Sequence, residues 1–585
     1  MSMTKDEVAA VLEAITQLLE LKGENPFKIR AYQNAVRALE TYSGNLESAV
    51  KEERLREIPG IGQAIAEKIA ILVNTGSLPY YEELKGEFPP GIFEMFDLMG
   101  LGPKKIRALY EQLGIDSLES LEAACKDGRV ATLAGFGAKT ATNILQSIEQ
   151  RKSVAGSFLL GAVAVAAESI YDDLRSHPDV SQVAIGGSYR RRKEVVHDLD
   201  FVVASLQPQN VTEFFTTHPL VESVIVSGPT KSSVRLKDGV QADLRVVSNE
   251  QYPFALNYFT GSKEHNIVLR GRALQRGWTL NEYRLAPVEA GRVKPEPIPE
   301  IAEERDLYRA LGLDYIQPEL RENMGEFAAA EAHTLPDLVE LENLRGTFHC
   351  HTTASDGHNS LEEMAEAAQE LGLQYLGIAD HSKSSFQAHG LDETRLLAQL
   401  DEIARLNATY SGFRLFAGTE CDILKDGSLD FSDEILSRLD YVVASVHASF
   451  TLPEAEMTRR IIKAISNPHV TILGHMTGRL LLTRKPYALD IPAIIDAAAE
   501  TGTIIELNAN PVRLDMDWRW WPLAKEKGVR CAINPDAHRT SGFNHLWFGV
   551  AEARKGWLTR QDVVNCLPLG QIETVLAAKR KKLAR

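Results

Sequence analysis

A chain of 585 residues is too long for a single hydrophobic core, and its length predicts roughly three to five domains. Its 44% hydrophobic and 25% charged residues are those of a soluble globular protein, and no apolar run approaches the length of a membrane span. The net charge of −16 argues at first against a nucleic-acid partner, yet it is uneven: residues 301–585 carry −11, and residues 151–300 are near neutral with local basic clusters. The opening "MSMTKDEVAA" has charge where a signal peptide would be apolar, and five cysteines without CxxC spacing argue against a disulfide framework and a cysteine-rich zinc module; a reducing cytoplasm fits.

Residues 6–150 have helical periodicity interrupted by three similar loops, "IPGIG" (58–62), "LMGLG" (98–102) and "LAGFG" (133–137). The glycines Gly60, Gly62, Gly100, Gly102, Gly135 and Gly137 let backbone amides at a helix start face a phosphate, which the helix dipole favours. Lys68, Lys104, Lys105 and Lys139 follow these turns and add positive charge. One such loop reads equally well as a tight helix hairpin; three in succession favour contact with a nucleic-acid backbone, the third least.

From about 155 to 250 the texture becomes α/β, with strands predicted at "VAIGG", "DFVVAS", "ESVIVSG" and "QADLRVV". Asp198 and Asp200, in "HDLDFVV", project from one strand face and repel unless a cation lies between them. Asp243, on another predicted strand, supplies a third carboxylate, and hard oxygen ligands of this kind suit Mg²⁺ and phosphoryl transfer. Upstream, the turn around Gly187 and Ser188 and the run Arg190–Lys193 offer amides and positive charge for a phosphate. Residues 255–315 form a smaller mixed region, and 316–342, rich in Glu and Pro, reads as a linker.

Residues 345–585 alternate short strands with amphipathic helices, which predicts a (β/α) barrel. Most of its strands end in His, Asp or Glu: His349, His351, Asp356, His381, Glu420, His447, His475, Asp536 and His538. Strand C-termini of a barrel converge on one face, so these nine would meet there, and mixed imidazole–carboxylate sets suit Zn²⁺, Mn²⁺ or Fe²⁺.

The stretches "GGSYRRRKEVVHDLDFVV", "QADLRVV", "YFTGSKEHNIVLR" and "LNEY" resemble the family X DNA polymerases, a likeness covering most of residues 1–315. It implies that Asp198, Asp200 and Asp243 bind catalytic Mg²⁺ or Mn²⁺, with Asp243 as base for the primer 3′-hydroxyl. It further implies triphosphate contacts at Gly187, Ser188 and Arg191, sugar contacts at Tyr258, Phe259 and Gly261, a base-edge contact at Asn266 and a template contact at Arg270. Arg192 and His197 stand where that family often has glycine. The three loops resemble helix-hairpin-helix elements; Lys28 and Tyr32 resemble a 5′-phosphate pocket. Lys68 matches a Schiff-base lysine, although Ala64 and Tyr80 replace its supporting lysines.

Residues 343–575 resemble the polymerase and histidinol phosphatase (PHP) domain, with all nine ligand positions present and up to three metals implied. Arg513 and Lys383 are candidate phosphate contacts there, and Met476 replaces a frequent proline.

The expected organisation is a multidomain chain: a helical 8-kDa-like domain (1–90), a second helical subdomain (91–152), a nucleotidyltransferase palm (153–254), a nascent base-pair subdomain (255–315), the linker (316–342) and a PHP-type barrel (343–585). The expected function is gap-filling DNA polymerase with a 3′→5′ exonuclease, 3′-phosphatase or abasic endonuclease activity. The partners would be gapped or nicked duplex DNA and dNTPs, no membrane, and the chain would be a monomer. The alternatives are a non-templated nucleotidyltransferase fused to a phosphatase, or a DNA-binding scaffold with weak catalysis.

Overall fold

The computed structural model describes residues 3, 5–42, 46–98, 100–288 and 296–583. Met99 of the second glycine loop and residues 289–295 of the expected 255–315 subdomain lie outside the described residues. The chain divides into two compact units, Met1–Ala155 and Gly156–Arg585. Among the described residues no helix is long and apolar enough to cross a membrane.

The first unit is helical. Each glycine loop follows a 3₁₀ turn (Leu55–Glu57, Glu94–Asp97, Val130–Thr132) and opens a helix, Gln63–Thr75, Pro103–Leu113 or Ala138–Ser153. The repeat has one backbone logic. Gly60, Gly100 and Gly135 take left-handed φ values of 100°, 83° and 83°, which a side chain would resist. Gly62, Gly102 and Gly137 then serve as N-caps with no side-chain cap, leaving early helical amides open to an outside acceptor, from Lys104 onward in the second helix because Pro103 has none. Val8, Leu12, Ile69, Ile106 and Leu121 belong to the core beneath.

The second unit begins with a five-stranded sheet: β1 (Gln182–Ile185), β2 (Asp198–Ala204), β3 (Val221–Ser227), β4 (Lys231–Leu236) and β5 (Gln241–Val247), in the order β1-β2-β5-β4-β3. β2 and β5 are parallel and their neighbours antiparallel. β4, "KSSVRL", escapes the sequence reading because its two serines break the apolar pattern. Leu199, Phe201 and Val203 point into the core with Val163, Ile170 and Phe215, so Asp198 and Asp200, alternating with them, face the other way. Helices Tyr252–Thr260, Lys263–Gln275 and Glu304–Ala310 and a short hairpin follow, around Leu269, Trp278, Leu307 and Tyr308.

The stretch expected as a linker is folded. Pro318–Leu320 is a 3₁₀ turn and Glu326–Glu331 a helix, with Arg321 and Glu326 fully buried. Three of its glutamates are held rather than solvated: Glu319 pairs with Arg554, Glu322 with Arg191 and Lys555, and Glu326 with His265.

The barrel is all parallel. It comprises β6 (Gly346–Cys350), β7 (Tyr375–Ile378), β8 (Arg414–Ala417), β9 (Glu420–Asp422), β10 (Val443–Ser445), β11 (Ile472–Leu473), β12 (Ile504–Asn508) and β13 (Cys531–Asn534). β8 and β9 are one path interrupted at Gly418–Thr419, bridged by His381 and Glu420. β13 returns to β6 through the amide of His351 on Ala537 O (2.9 Å) and Thr347 Oγ1 on Ile533 O (3.0 Å), which closes the ring.

Candidate functional sites

The parallel register of β2 and β5 sets Asp200 directly opposite Asp243 and Asp198 opposite Gln241. Burial pushes the Asp200 carboxyl up to about 7, with Asp198 and Asp243 adding to the shift against the opposing pull of Arg191 and Arg245. Asp198 is raised by burial and by Asp243. Asp243 is steadied by Ser233 Oγ and by Gln241 Nε2 at 3.0 Å. Carboxylates forced to share a half-buried face in this way favour a divalent cation over their own ionised company.

The turn before β2 is shaped around Asp200. The Gly186 amide donates to Asp200 O at 2.6 Å. Gly187 has a φ of 60°, and a Cβ there would lie 2.3 Å from Asp200 Oδ2, so only glycine lets the turn lie against the carboxylate. Ser188 follows in the same turn. The basic run beyond it is held by protein partners. Arg190 binds Glu304 (2.8 Å) and Thr260 Oγ1 (2.6 Å); Arg191 binds Glu322 (3.0 Å) and Thr260 O (2.8 Å); Arg192 stacks 4.2 Å over the Trp547 ring. His197 faces Gly156 O and Ser157.

Asn266 donates to Tyr258 O (2.8 Å) and Gly261 O (3.2 Å), so its amide fixes the "YFTG" turn. A Cβ on Gly261 would meet Asn266 Oδ1 at 2.5 Å. Phe259 packs edge-on against Tyr258, and Arg270 lies 6.0 Å over the Tyr258 ring. Tyr258, Asn266, Arg270 and Asn281 of "LNEY" border one small crevice, so these separated motifs do meet.

In the helical unit, Lys28 and Lys68 both approach the ring of Tyr80, at 5.6 and 5.0 Å. Tyr32 is buried, and its hydroxyl is pushed up by burial and by Tyr80. Lys28 also pairs with Glu24, and Lys105 folds back onto Gly100 O.

The barrel mouth gathers all nine expected residues into four overlapping sets with ligand atoms within 4.8 Å of one another. These are His351, Asp356, His381 and His538; His349, His351 and Asp536; His349, Glu420 and His475; and His381, Glu420 and His447. The palm trio is not among such sets. His349 and Asp536 hold left-handed φ values of 58° and 50°, backbone strain of a kind concentrated at functional sites. Buried His349 Nε2, His351 Nδ1 and Nε2, and His381 Nδ1 have no hydrogen-bond partner, and the donor set is the nitrogen–oxygen mixture that transition metals take. The residues therefore fit metals. Burial and the neighbouring His538 and His381 push His351 down to about 4, whereas the carboxylates of Glu420 and Asp356 outweigh burial and raise His381 to about 11.

Three acids not anticipated from sequence orient these candidate ligands. Glu506 accepts from His349 Nδ1 (2.6 Å) and from the His475 amide (3.0 Å). Asp422 accepts from His447 Nδ1 (2.5 Å), and Asp380 accepts from Thr352 N (2.8 Å) and Ser355 Oγ (2.5 Å), pinning the loop that carries Asp356. The signal was present in "GTECD" and "IIELN", where a further strand acid follows the ligand register. Arg513 lies 3.5 Å from Asp536, inside the site, while Lys383 is exposed and paired with Glu393 at 2.6 Å. Beside His381 and His447 opens a cavity of about 430 Å³, walled by Phe386, Leu424, Ala448 and Arg460.

Carboxylates on a palm-like sheet and a ring of imidazoles at a barrel mouth define a class of chain with two separate candidate metal sites. Comparison with known proteins agrees in every segment it covers. Residues 3–78 match the helix-hairpin-helix domain, 94–150 the SAM-like helix-hairpin-helix tandem, 255–322 the DNA polymerase beta thumb and 347–510 the PHP domain. The DNA polymerase/3′-5′ exonuclease PolX of Bacillus subtilis (strain 168) is 39% identical over 579 residues, 98% of this chain and 99% of that one. A probable phosphatase of Thermoanaerobacter sp. (strain X514) is 30% identical over 248 residues, 40% of this chain and 95% of its own. Another, of Caldicellulosiruptor saccharolyticus, is 33% identical over 200 residues, 32% of this chain and 78% of its own. The chain belongs to the PolX family, the family X DNA polymerases that carry a C-terminal PHP domain.

Proposed function

We propose that the chain fills short gaps in duplex DNA at the palm and removes unsuitable 3′ ends at the barrel as a 3′→5′ exonuclease. The observation that carries this is the pairing of Asp200 with Asp243 in one chain with the nine-residue barrel cluster. Mg²⁺ or Mn²⁺ would be held by Asp198, Asp200 and Asp243; Zn²⁺, Mn²⁺ or Fe²⁺, up to three ions, by the barrel sets. Bound cations of this kind neutralise charge at a transferring phosphoryl group and acidify an attacking oxygen.

The chain's own residues do the rest. Asp243 Oδ1, steadied by Ser233, accepts the proton of the primer 3′-hydroxyl. Ser188, Arg191 and the turn at Gly187 bind the triphosphate of a dNTP. Tyr258, Phe259 and Gly261 line the sugar, Asn266 the base edge, and Arg270 the template strand. The open amides of the first turns after Gly62 and Gly137 and that of Lys104 beyond Gly102 and Pro103, with the side chains of Lys68, Lys104 and Lys105, hold the DNA backbone without reading sequence, and Lys28 and Tyr32 border a 5′-phosphate. At the barrel, Arg513 holds the scissile phosphate. The chain would act as a monomer in the cytoplasm, where its five free thiols would stay reduced.

The test uses one-nucleotide-gapped DNA with a matched or a 3′-phosphorylated primer. Asp200→Ala is expected to abolish extension and leave 3′ trimming intact; His349→Ala the reverse. Extension surviving Asp200→Ala, or trimming surviving His349→Ala, overturns the assignment of that site. Release of inorganic phosphate from the 3′-phosphate primer separates a phosphatase from an exonuclease.

A further inference from the structure

We propose that Lys555, a residue of the barrel, is a positioning residue for nucleotide addition at the palm. The inference rests on the reading of Arg191 as a triphosphate contact. Lys555 closes the helix Leu546–Lys555, is fully buried, and lies over the Trp518 ring at 4.5 Å. Its Nζ donates to Glu322 Oε1 at 2.6 Å, to the backbone oxygen of Arg191 at 3.2 Å and to Glu319 O at 3.4 Å. The same Glu322 oxygen accepts from Arg191 Nε at 3.0 Å.

One carboxylate oxygen is thus shared by two cations from different domains. With Arg191 alone, Glu322 would form a neutral, buried pair, and an incoming triphosphate would have to break it. Lys555 changes both terms. It satisfies part of the Glu322 charge, which loosens the hold on Arg191, and it leaves the triad with a net positive charge to face a polyanion. Its bond to the Arg191 carbonyl also fixes the backbone from which the guanidinium swings.

The neighbourhood shows that this clasp is built rather than incidental. Arg192, in a left-handed backbone position with φ 55°, stacks on Trp547 of the same helix. Glu194 accepts from Arg519 (3.2 Å) and from Trp518 Nε1 (3.3 Å). Residues 191, 192 and 194 of the palm loop are therefore each tied to the barrel. The Arg192 departure from the family's glycine acquires a role here: glycine would permit the same backbone but could not stack.

The experiment measures dNTP KM and kcat for single-nucleotide gap filling, with 3′ trimming and thermal stability measured alongside on the same full-length chains. Lys555→Met is expected to raise dNTP KM by about 10-fold with little change in trimming. Adding Glu322→Gln to it removes the carboxylate that captures Arg191, so the double variant returns to within roughly 3-fold of wild type, whereas damage to packing alone would deepen. Lys555→Arg keeps the charge and most of the affinity. An unchanged KM in Lys555→Met, or a double variant worse than the single, overturns the inference. Should Lys555→Met not fold, Glu322→Gln alone decides: its dNTP KM stays at or below wild type if the inference holds, and a clear rise refutes it. Arg191→Gln separates the premise from the inference: if it leaves KM unchanged, the reading of Arg191 fails instead.

Discussion

Gly187→Ala tests whether the approach of the nucleotide turn to Asp200 is what organises the palm. Two costs can be worked from the structure. At φ 60° an alanine pays about 1 kcal/mol for left-handed backbone, which lowers stability slightly. The larger effect is geometric. The added Cβ would stand 2.3 Å from Asp200 Oδ2, against an ordinary contact of about 3.5 Å, so the carboxylate must retreat by about 1 Å. A misplacement of that size at a reacting centre costs roughly 100-fold in rate. Single-nucleotide gap filling at saturating Mg²⁺ should therefore lose about two orders of magnitude in kcat/KM, while Tm falls by only a few degrees and 3′ trimming is untouched. Gap filling within about 3-fold of wild type would show that Asp200 does not need to sit where the turn holds it, and the chemistry assigned to the trio would have to be abandoned.

Three further perturbations probe other parts. Asp200→Asn concerns stability: with its carboxyl pushed from 3.8 to about 7, the metal-free fold keeps a proton that the unfolded chain releases. Stability therefore falls as pH rises from about 4 to 7, by on the order of 4 kcal/mol, and the asparagine variant, having no proton to lose, should melt higher than wild type in EDTA at pH 8 while failing to extend primers; an equal or lower Tm would contradict the buried-charge account. Glu506→Gln leaves every barrel ligand in place but weakens the anchor on His349, so metal affinity by titration and trimming should drop roughly 10- to 100-fold with extension unaffected; unaltered affinity would make Glu506 a bystander. Phe386, 75% exposed at the rim of the cavity beside His381 and His447, would offer a stacking face to a terminal base if the 3′ end enters there, and Phe386→Ala should then raise the KM for trimming by roughly 5- to 100-fold, a result checked on single-stranded and mismatched 3′ ends.

Much of this molecule was legible from local sequence because its chemistry lies at predictable strand positions. Period-two alternation put Asp198 and Asp200 on one face, and the run of strands ending in His, Asp or Glu needed only the barrel rule to converge. What escaped was long-range pairing. The arginines of the Arg190–Lys193 run read as free positive charge until Glu304, Glu322 and Trp547, more than a hundred residues away, are seen to hold them. The Glu- and Pro-rich 316–342 stretch reads as solvated for the same reason, since composition cannot show that Arg554, Lys555 and His265 wait for its acids. Glu506 and Asp422 were missed because they serve other side chains rather than the site itself, and β4 because Ser233 is buried for the sake of Asp243.

That same pairing bears on whether the palm can be separated from the barrel. Trp547 and Phe548 pack into the palm core, and Gly161 approaches Pro511 so closely that a Cβ would meet it at 2.6 Å. Glu319, Glu322 and Glu194 would each lose a cation if the barrel were removed. Glu322 would keep only Arg191, Glu319 and Glu194 would lose the ion pairs they make with the barrel, and the apolar surface covered by Trp547 and Phe548 would meet water, losses that a full-length His349→Ala chain does not incur. A chain ending at residue 342 should therefore melt at a distinctly lower temperature than the full-length His349→Ala variant and fill gaps less well, although both lack trimming. Differential scanning calorimetry and gap filling on the two proteins decide the point. A truncated chain as stable and as active as the point variant would mean that the barrel contributes nothing to the palm beyond proximity, and the clasp around Arg191 and Arg192 would be ornament.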